Sequence, residues 1–224
     1  MKTVPDIRIQ VLNNAPVRRE GDFVLYWMIA CRRIFWNFSL QRAVEWALLL
    51  NKPLVILEAV RCGYRWASDR LHSFIIEGMA DNARELSSSG VVYYPYVEPV
   101  DDAGKGLLAA LGKRACVVIT DEFPDFFLPR MVAAAVSQVN ARLEQVDSNG
   151  LLPLRAAQRA FTTAHSFRIF LQKNLFEHLQ IFPAQNPLTG LSLPKLQGLP
   201  EEVTERWPAA AHDLLENTPS MLKP

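Results

Sequence analysis

Phe23, Val24, Leu25, Tyr26, Trp27, Met28 and Ile29 form a run that is apolar at every position, where a half-buried strand would alternate. Such a run suits a strand covered on both faces, the situation of a central strand in a parallel sheet held between two layers of helices. From Asn37 onward Leu40, Val44, Ala47 and Leu48 recur at helical spacing until Asn51, Lys52 and Pro53 stop the pattern. The cycle then repeats. Leu54 to Val60 reads as a strand, and Ser68 and Asp69 open a helix carrying Leu71, Phe74, Ile75, Met79 and Ala83 on one face. Val91 to Val97, Cys116 to Thr120 and Arg142 to Val146 are the later strands, separated by helices over Gly106 to Gly112 and Leu128 to Asn140. This alternation predicts an α/β domain of Rossmann-like type, a doubly wound five-stranded parallel sheet with helices on both faces.

The rest of the chain has a different texture. Ala164 to Leu179 carries Phe167, Phe170, Leu171, Leu175 and Leu179 at helical spacing, a face expected to pack on the sheet. Pro183, Pro187, Pro194 and Pro200, with Gly190 and Gly198, then mark an extended connector, followed by a short helix over Glu201 to Asn217 broken at Pro208. We therefore divide the chain into an α/β domain, 1–182, and a Pro-rich tail with a short helix, 183–224.

Composition narrows the function. Lys plus Arg number 24 and Asp plus Glu 23, so the net charge of +1 lacks the footprint of a protein that lives on phosphate backbones, and DNA is expected to bind weakly at most. Cys31, Cys62 and Cys116 are odd in number and far apart, which suits a reducing cytoplasm and buried thiols. His72, His165, His178 and His212 are scattered, so no zinc site is expected. The longest apolar run, Phe23 to Cys31, is well short of the roughly 18 residues of a membrane span, and the first ten residues lack a leader's apolar core.

In a doubly wound sheet, ligands sit beyond the carboxyl ends of the strands, near the point where strand order reverses. No GxGxxG follows the first strand and no GxSxG elbow occurs. Gly104, Lys105 and Gly106 lack both the glycine spacing and the hydroxyl residue of a phosphate-binding P-loop. The sheet is thus expected to hold a ligand rather than hydrolyse one. After the first strand stand Trp27, Met28, Arg32, Arg33, Phe35, Trp36, Asn37 and Phe38, flat side chains beside guanidinium groups that either sandwich a planar heterocycle or pack between elements. After the fourth come Asp121, Glu122 and Phe123, whose carboxylates either accept hydrogen bonds from ribityl or ribose hydroxyls or cap the chain in solvent. Arg65, Trp66 and Arg70 follow the second strand as candidates for a pocket rim or docking face.

Val11, Leu12, Asn13, Asn14, then Pro16, Val17, Arg18, then Gly21, Asp22 and Val24 to Met28 resemble the opening of class II deoxyribodipyrimidine photolyases. The resemblance continues through Arg33, Trp36 and Asn37, Lys52 to Val55, Ala67 to His72, Val118 to Asp121, and Val146, Asp147 and Pro153, reaching to about residue 180. It implies a DNA-repair lyase that reverses ultraviolet-induced pyrimidine dimers by light-driven electron transfer. That family joins an N-terminal α/β antenna domain to a helical FAD-binding domain.

For this chain the resemblance implies the antenna domain alone, holding a deazaflavin or a folate near the carboxyl ends of the first and fourth strands. The candidate cofactor ligands are Trp27, Met28, Asn37, Asp121, Glu122 and Phe123. The sequence stops where the family's FAD domain begins, so the expected partner is a separate FAD-binding domain, and repair by this chain alone is not expected. The face such a domain would cover is a candidate for self-association. The alternatives are a nucleotide-binding α/β sensor, and an interaction module or remnant.

Overall fold

The computed structural model describes residues 3–216, so Asn217, the expected end of the last helix, lies outside the described residues. Its centre is a six-stranded sheet of β1 (Ile9–Val11), β2 (Phe23–Met28), β3 (Leu54–Val60), β4 (Val92–Val97), β5 (Ala115–Asp121) and β6 (Arg142–Val146), in the order β1-β6-β5-β2-β3-β4. All neighbours from β6 to β4 are parallel, and strand order reverses between β2 and β5. Every residue of β2 is buried, as its uninterrupted apolar run requires.

Helices α1 (Phe38–Leu50), α2 (Asp69–Leu86), α3 (Leu107–Arg114) and α4 (Leu128–Val136) follow successive strands. The side chain of Asn37 accepts the Leu40 amide at 3.0 Å and starts α1, while Asn51, at φ +51°, ends it in a left-handed cap. Ser68 caps α2 through the Leu71 amide. Strand parity sorts the core: Val24, Tyr26 and Met28 face α1, whereas Phe23, Leu25 and Trp27 face α3 and α4.

Two expectations are corrected. The sheet has six strands, not five, because β1 joins antiparallel to β6, with Gln10 opposite Gln145. Three residues are too few to show a period, and β1 is anchored instead by Arg8. That guanidinium is buried, donates to the carbonyls of Asp147, Gly150 and Leu151, and lies 4.6 Å from the Phe38 ring. The second correction concerns α5 (Ala164–Asn174), which with the turn Phe176–His178 replaces one continuous helix. None of its side chains is buried, and Phe167 and Phe170 meet the ring of Phe161 rather than the sheet.

The Pro-rich segment is extended but lies on the domain. Leu188, Leu191 and Leu193 pack on the α1 side, and α6 (Glu201–Arg206) brings Val203 and Trp207 into the core beside α3. Between them and α7 (His212–Glu216), the Ala210 amide donates to the carbonyl of Pro95 on edge strand β4, at 2.8 Å. Leu215 then packs with Ile76 and Met79 of α2. Among the described residues no helix is long and apolar enough to cross a membrane.

One buried charge is tested readily. Glu144, in the middle of β6, is fully buried and accepts from Arg42 Nε at 2.8 Å, Arg142 Nε at 2.7 Å and Trp46 Nε1 at 3.0 Å. Burial alone would raise its pKa, but these donors and the Arg42 charge together hold it below its ordinary value of 4.5. A carboxylate with a depressed native pKa contributes stability above its unfolded value and loses it as pH falls through the folded one. Glu144→Gln is therefore expected to cost roughly 2–3 kcal/mol near neutrality. The difference from the parent, followed by urea denaturation, should shrink as the medium is acidified below the ordinary glutamate range.

Candidate functional site

A cleft of about 500 Å³ opens at the carboxyl edge of the sheet, on the α3 and α4 side. Its floor is set by strand parity: Trp27 and Ile29 from β2 and its exit, Leu57 and Ala59 from β3, and Tyr96 from β4 share one face. Leu107 and Leu108 of α3 form one wall, and Met131, Ala134 and Ala135 of α4 the other. Two alanines in that wall leave volume that larger side chains would fill. At the mouth stand Arg61, Glu98, Asp102, Lys105 and Arg130.

Backbone approaches closely here. A Cβ at Gly104 would lie 3.1 Å from the Tyr96 ring and 3.2 Å from Glu98 Oε1, and Gly106, at φ +95°, cannot be replaced without strain. Trp207 closes over Gly106 and donates from Nε1 to the carbonyl of Ala103 at 2.9 Å, while its own carbonyl accepts from Tyr94 Oη. The loop from Ala103 to Gly106 is thus held by the tail.

The acidic groups at the mouth are already committed. Glu98 accepts the amides of Cys62 and Gly104, both at 3.0 Å, and Arg61 pairs with Asp101 and Asp102 at 3.3 and 3.4 Å. The ligand atoms of Cys62, Glu98 and Asp101 lie within 4.8 Å of one another, a spacing a metal ion could use. Here the Arg61 guanidinium, 4.0 Å from Glu98, supplies the positive charge instead. Burial first, and then the negative charge of Glu98, raise the pKa of both the Cys62 thiol and the Tyr96 phenol, so both stay protonated near neutrality.

The residues singled out from the sequence fall in three places. Trp27 lines the cleft. Met28, its neighbour, points to the opposite face of the sheet and is fully buried on the α1 side, as successive strand residues must diverge. Asn37 and Asp121 lie in that same layer, in a closed hydrogen-bond network. Asp121 Oδ2 accepts the amides of Ile29, Ala30 and Cys31 at 2.9, 2.8 and 3.0 Å, and Oδ1 accepts Tyr26 Oη at 2.7 Å. Asn37 Nδ2 donates to Tyr26 Oη and to the carbonyls of Cys31 and Arg33. Burial, with Asp121 beside it, pushes the Tyr26 phenol well above its usual range, and the same causes push the Cys31 thiol up to about 12.

Glu122 and Phe123 line a different, smaller cavity of about 360 Å³ near β1 and β6, where Glu122 is ion-paired with Arg155. Burial raises the Glu122 pKa and Arg155 opposes it. Of the basic and aromatic group after β2, Arg32 is committed to Glu58 and the Ala59 carbonyl, and Arg33 to the carbonyls of Phe35 and Trp36. Sequence reasoning missed Arg61, Tyr96 and Arg130, and weighed Lys105 only as part of an incomplete P-loop. Only the closely spaced Gly104 and Gly106 signalled a tight backbone approach there.

Asp121 offers a clean test of its position. Asp121→Ala would leave three amides and one phenol without their acceptor in the interior, at a cost of at least about 3 kcal/mol. The urea midpoint should fall accordingly, and an unchanged midpoint would show that the turn does not need the carboxylate.

No family model matches the chain. It is similar to deoxyribodipyrimidine photo-lyase of Methanothermobacter thermautotrophicus, with 29% identity over 169 residues, or 75% of this chain. The match spans 37% of that relative's length. Together with the Rossmann-like sheet, this similarity supports a photolyase-family relationship for the chain.

Proposed function

We propose that this domain is the light-harvesting part of a photolyase system, holding a planar antenna chromophore, a deazaflavin or a folate, in the cleft beside β2. The observation that carries the reading is the cleft itself. Its volume of about 500 Å³ suits one fused-ring molecule, and its floor offers the Trp27 and Tyr96 rings and the Leu57 side chain. The relative's name attaches it to deoxyribodipyrimidine, and we extend that activity to the system in which this chain works.

In this reading the chromophore absorbs light and passes excitation to a flavin held by a FAD-binding photolyase domain, where dimer splitting takes place. The residues of the cleft bind and orient the ring without reacting with it. Contact with damaged DNA falls to the flavin-binding partner, an assignment supported by the net charge of +1.

Absorption spectroscopy of the chain purified from a deazaflavin-producing host tests this directly. A near-visible band that departs with a small molecule on heating is expected, and a protein-only spectrum would overturn the reading. Ala134→Trp, at an exposed wall position, should fill the cleft and abolish the band while leaving the fold intact. Trp27→Phe should weaken binding up to about tenfold by shrinking the stacking surface. Glu122→Ala, in the other cavity, should leave affinity unchanged.

A further inference from the structure

The loop at the mouth of the cleft is a single layer of main chain. On the cleft side, a Cβ at Gly104 would come within 3.1 Å of the Tyr96 ring and 3.2 Å of Glu98 Oε1, and that oxygen accepts the Gly104 amide at 3.0 Å. On the tail side, a Cβ at Gly106 would come within 3.2 Å of the Trp207 indole, whose Nε1 donates to the Ala103 carbonyl at 2.9 Å. Gly104 and Gly106 both line the cleft. Cleft and tail therefore meet across bare backbone, and neither glycine has a side chain that could absorb a displacement of one side before it reaches the other.

Trp207 is itself firmly placed. It is 4% exposed, its amide donates to the Val203 carbonyl at 2.9 Å, and its carbonyl accepts from Tyr94 Oη. The Arg206 guanidinium lies 4.5 Å from the centre of its ring. A little further along the tail, the Ala210 amide donates to the Pro95 carbonyl at 2.8 Å. Tyr94 and Pro95 belong to β4, the strand that carries Tyr96 to the floor of the cleft. The tail between 207 and 210 thus bears on both sides of the mouth, the strand that presents Tyr96 and the loop that presents Gly104.

We propose that Trp207 is a positioning residue for the cleft: by fixing the loop from Ala103 to Gly106 it sets the affinity for the ligand, and occupancy of the cleft in turn tightens the seating of the tail. The inference rests on the chromophore reading above and adds to it a link between ligand and tail. Trp207 is outside the lining of the cleft, so it acts only through the loop. A ligand lying against Gly104 and Tyr96 meets a wall whose far side is the indole. With the tail unseated, the Ala103 carbonyl loses its donor and the loop loses its backing, so the ligand has to order the loop at its own expense. Linkage is reciprocal: whatever factor the seated tail adds to ligand affinity, the bound ligand adds to the seating of the tail. A coupling of about tenfold is the size expected for two sites joined by direct contacts of this kind.

Hydrogen exchange and ligand titration on the full chain test the two halves separately. Without ligand, Trp207→Phe, which keeps a ring over Gly106 but removes the donor to Ala103, should speed exchange of the Gly104 amide about threefold, and Trp207→Ala about tenfold. Should Trp207→Ala not fold, Trp207→Phe carries the test. 5-Deazariboflavin and folate, one for each ring class, are then titrated by fluorescence. At least one is expected to bind the parent, to bind Trp207→Ala about tenfold and Trp207→Phe about threefold more weakly, and to slow exchange of the Trp207 and Ala210 amides in the parent. Val44→Ala, in the core on the α1 side, lowers stability without touching the loop and should leave affinity unchanged. An equal loss in Val44→Ala would assign the effect to stability alone and overturn the proposal. Unchanged exchange at Gly104 in the Trp207 variants would overturn the positioning role with or without a ligand. A probe that binds parent and variants equally, or that leaves the tail amides unmoved, would overturn the link. Failure of both probes to bind the parent would bring down the chromophore reading and the link together, while the ligand-free exchange still decides the positioning.

Discussion

The carboxylate of Asp121 is the contact on which the rest of the site depends. At the end of β5 it gathers the amides of Ile29, Ala30 and Cys31, three donors that a chain leaving β2 would otherwise have to bury unpaired. By accepting them it ends β2 at the point where strand order reverses and turns the chain toward α1. Tyr26 and Asn37 extend the network, and Asn37 also starts α1 through the Leu40 amide. The two layers are thereby separated: polar satisfaction occupies the α1 side, and the α3 and α4 side is left to Trp27, Ile29 and an open volume. An acidic residue at the ligand edge of the sheet thus shapes the cleft without entering it.

A second dependency runs through the tail. Trp207 is buried against α3, donates to the Ala103 carbonyl, and sits over Gly106, where a Cβ would come within 3.2 Å of its ring. The loop that forms the mouth of the cleft is therefore positioned by a residue more than a hundred positions away in sequence. The connector and the mouth of the cleft are therefore mechanically one piece. Movement of α6 would shift Ala103 to Gly106 directly, with no intervening network.

The layout of the domain was legible because its strongest signals are local. The unbroken apolar run at β2, the stop at Asn51 to Pro53 and the Ser68 cap each determine an element from a few neighbouring residues. What the sequence concealed was held by contacts over long separations. β1 exists because Arg8 reaches carbonyls near residue 150, and α5 stands off the sheet because Phe161 covers its apolar face. The site was legible only in part for a related reason. Proximity in sequence grouped Trp27 with Met28 and Asp121 with Glu122, yet neighbours at a strand end face opposite ways, and each pair is divided between separate environments. The residues that do surround Trp27 come from β3, β4, α3 and α4, which only the folded topology brings together.

The chemistry around the cleft is quiet, and that agrees with the proposed role. Both Glu98 oxygens accept backbone amides, the Tyr96 phenol is kept protonated, and burial beside a carboxylate holds the Cys62 thiol in its un-ionised form. A hydrolytic or transfer site needs a base or nucleophile poised near neutrality. Here the Cys62 thiol and Tyr96 phenol are held protonated, and Asp101 and Asp102 are paired with Arg61. A cavity built this way can hold an excited ring without offering it a proton or a nucleophile. Rigid orientation matters because energy transfer between two chromophores depends on the angle between them as well as their distance. For the proposed chromophore, the Trp27 and Tyr96 rings on the cleft floor are the groups that would set that angle.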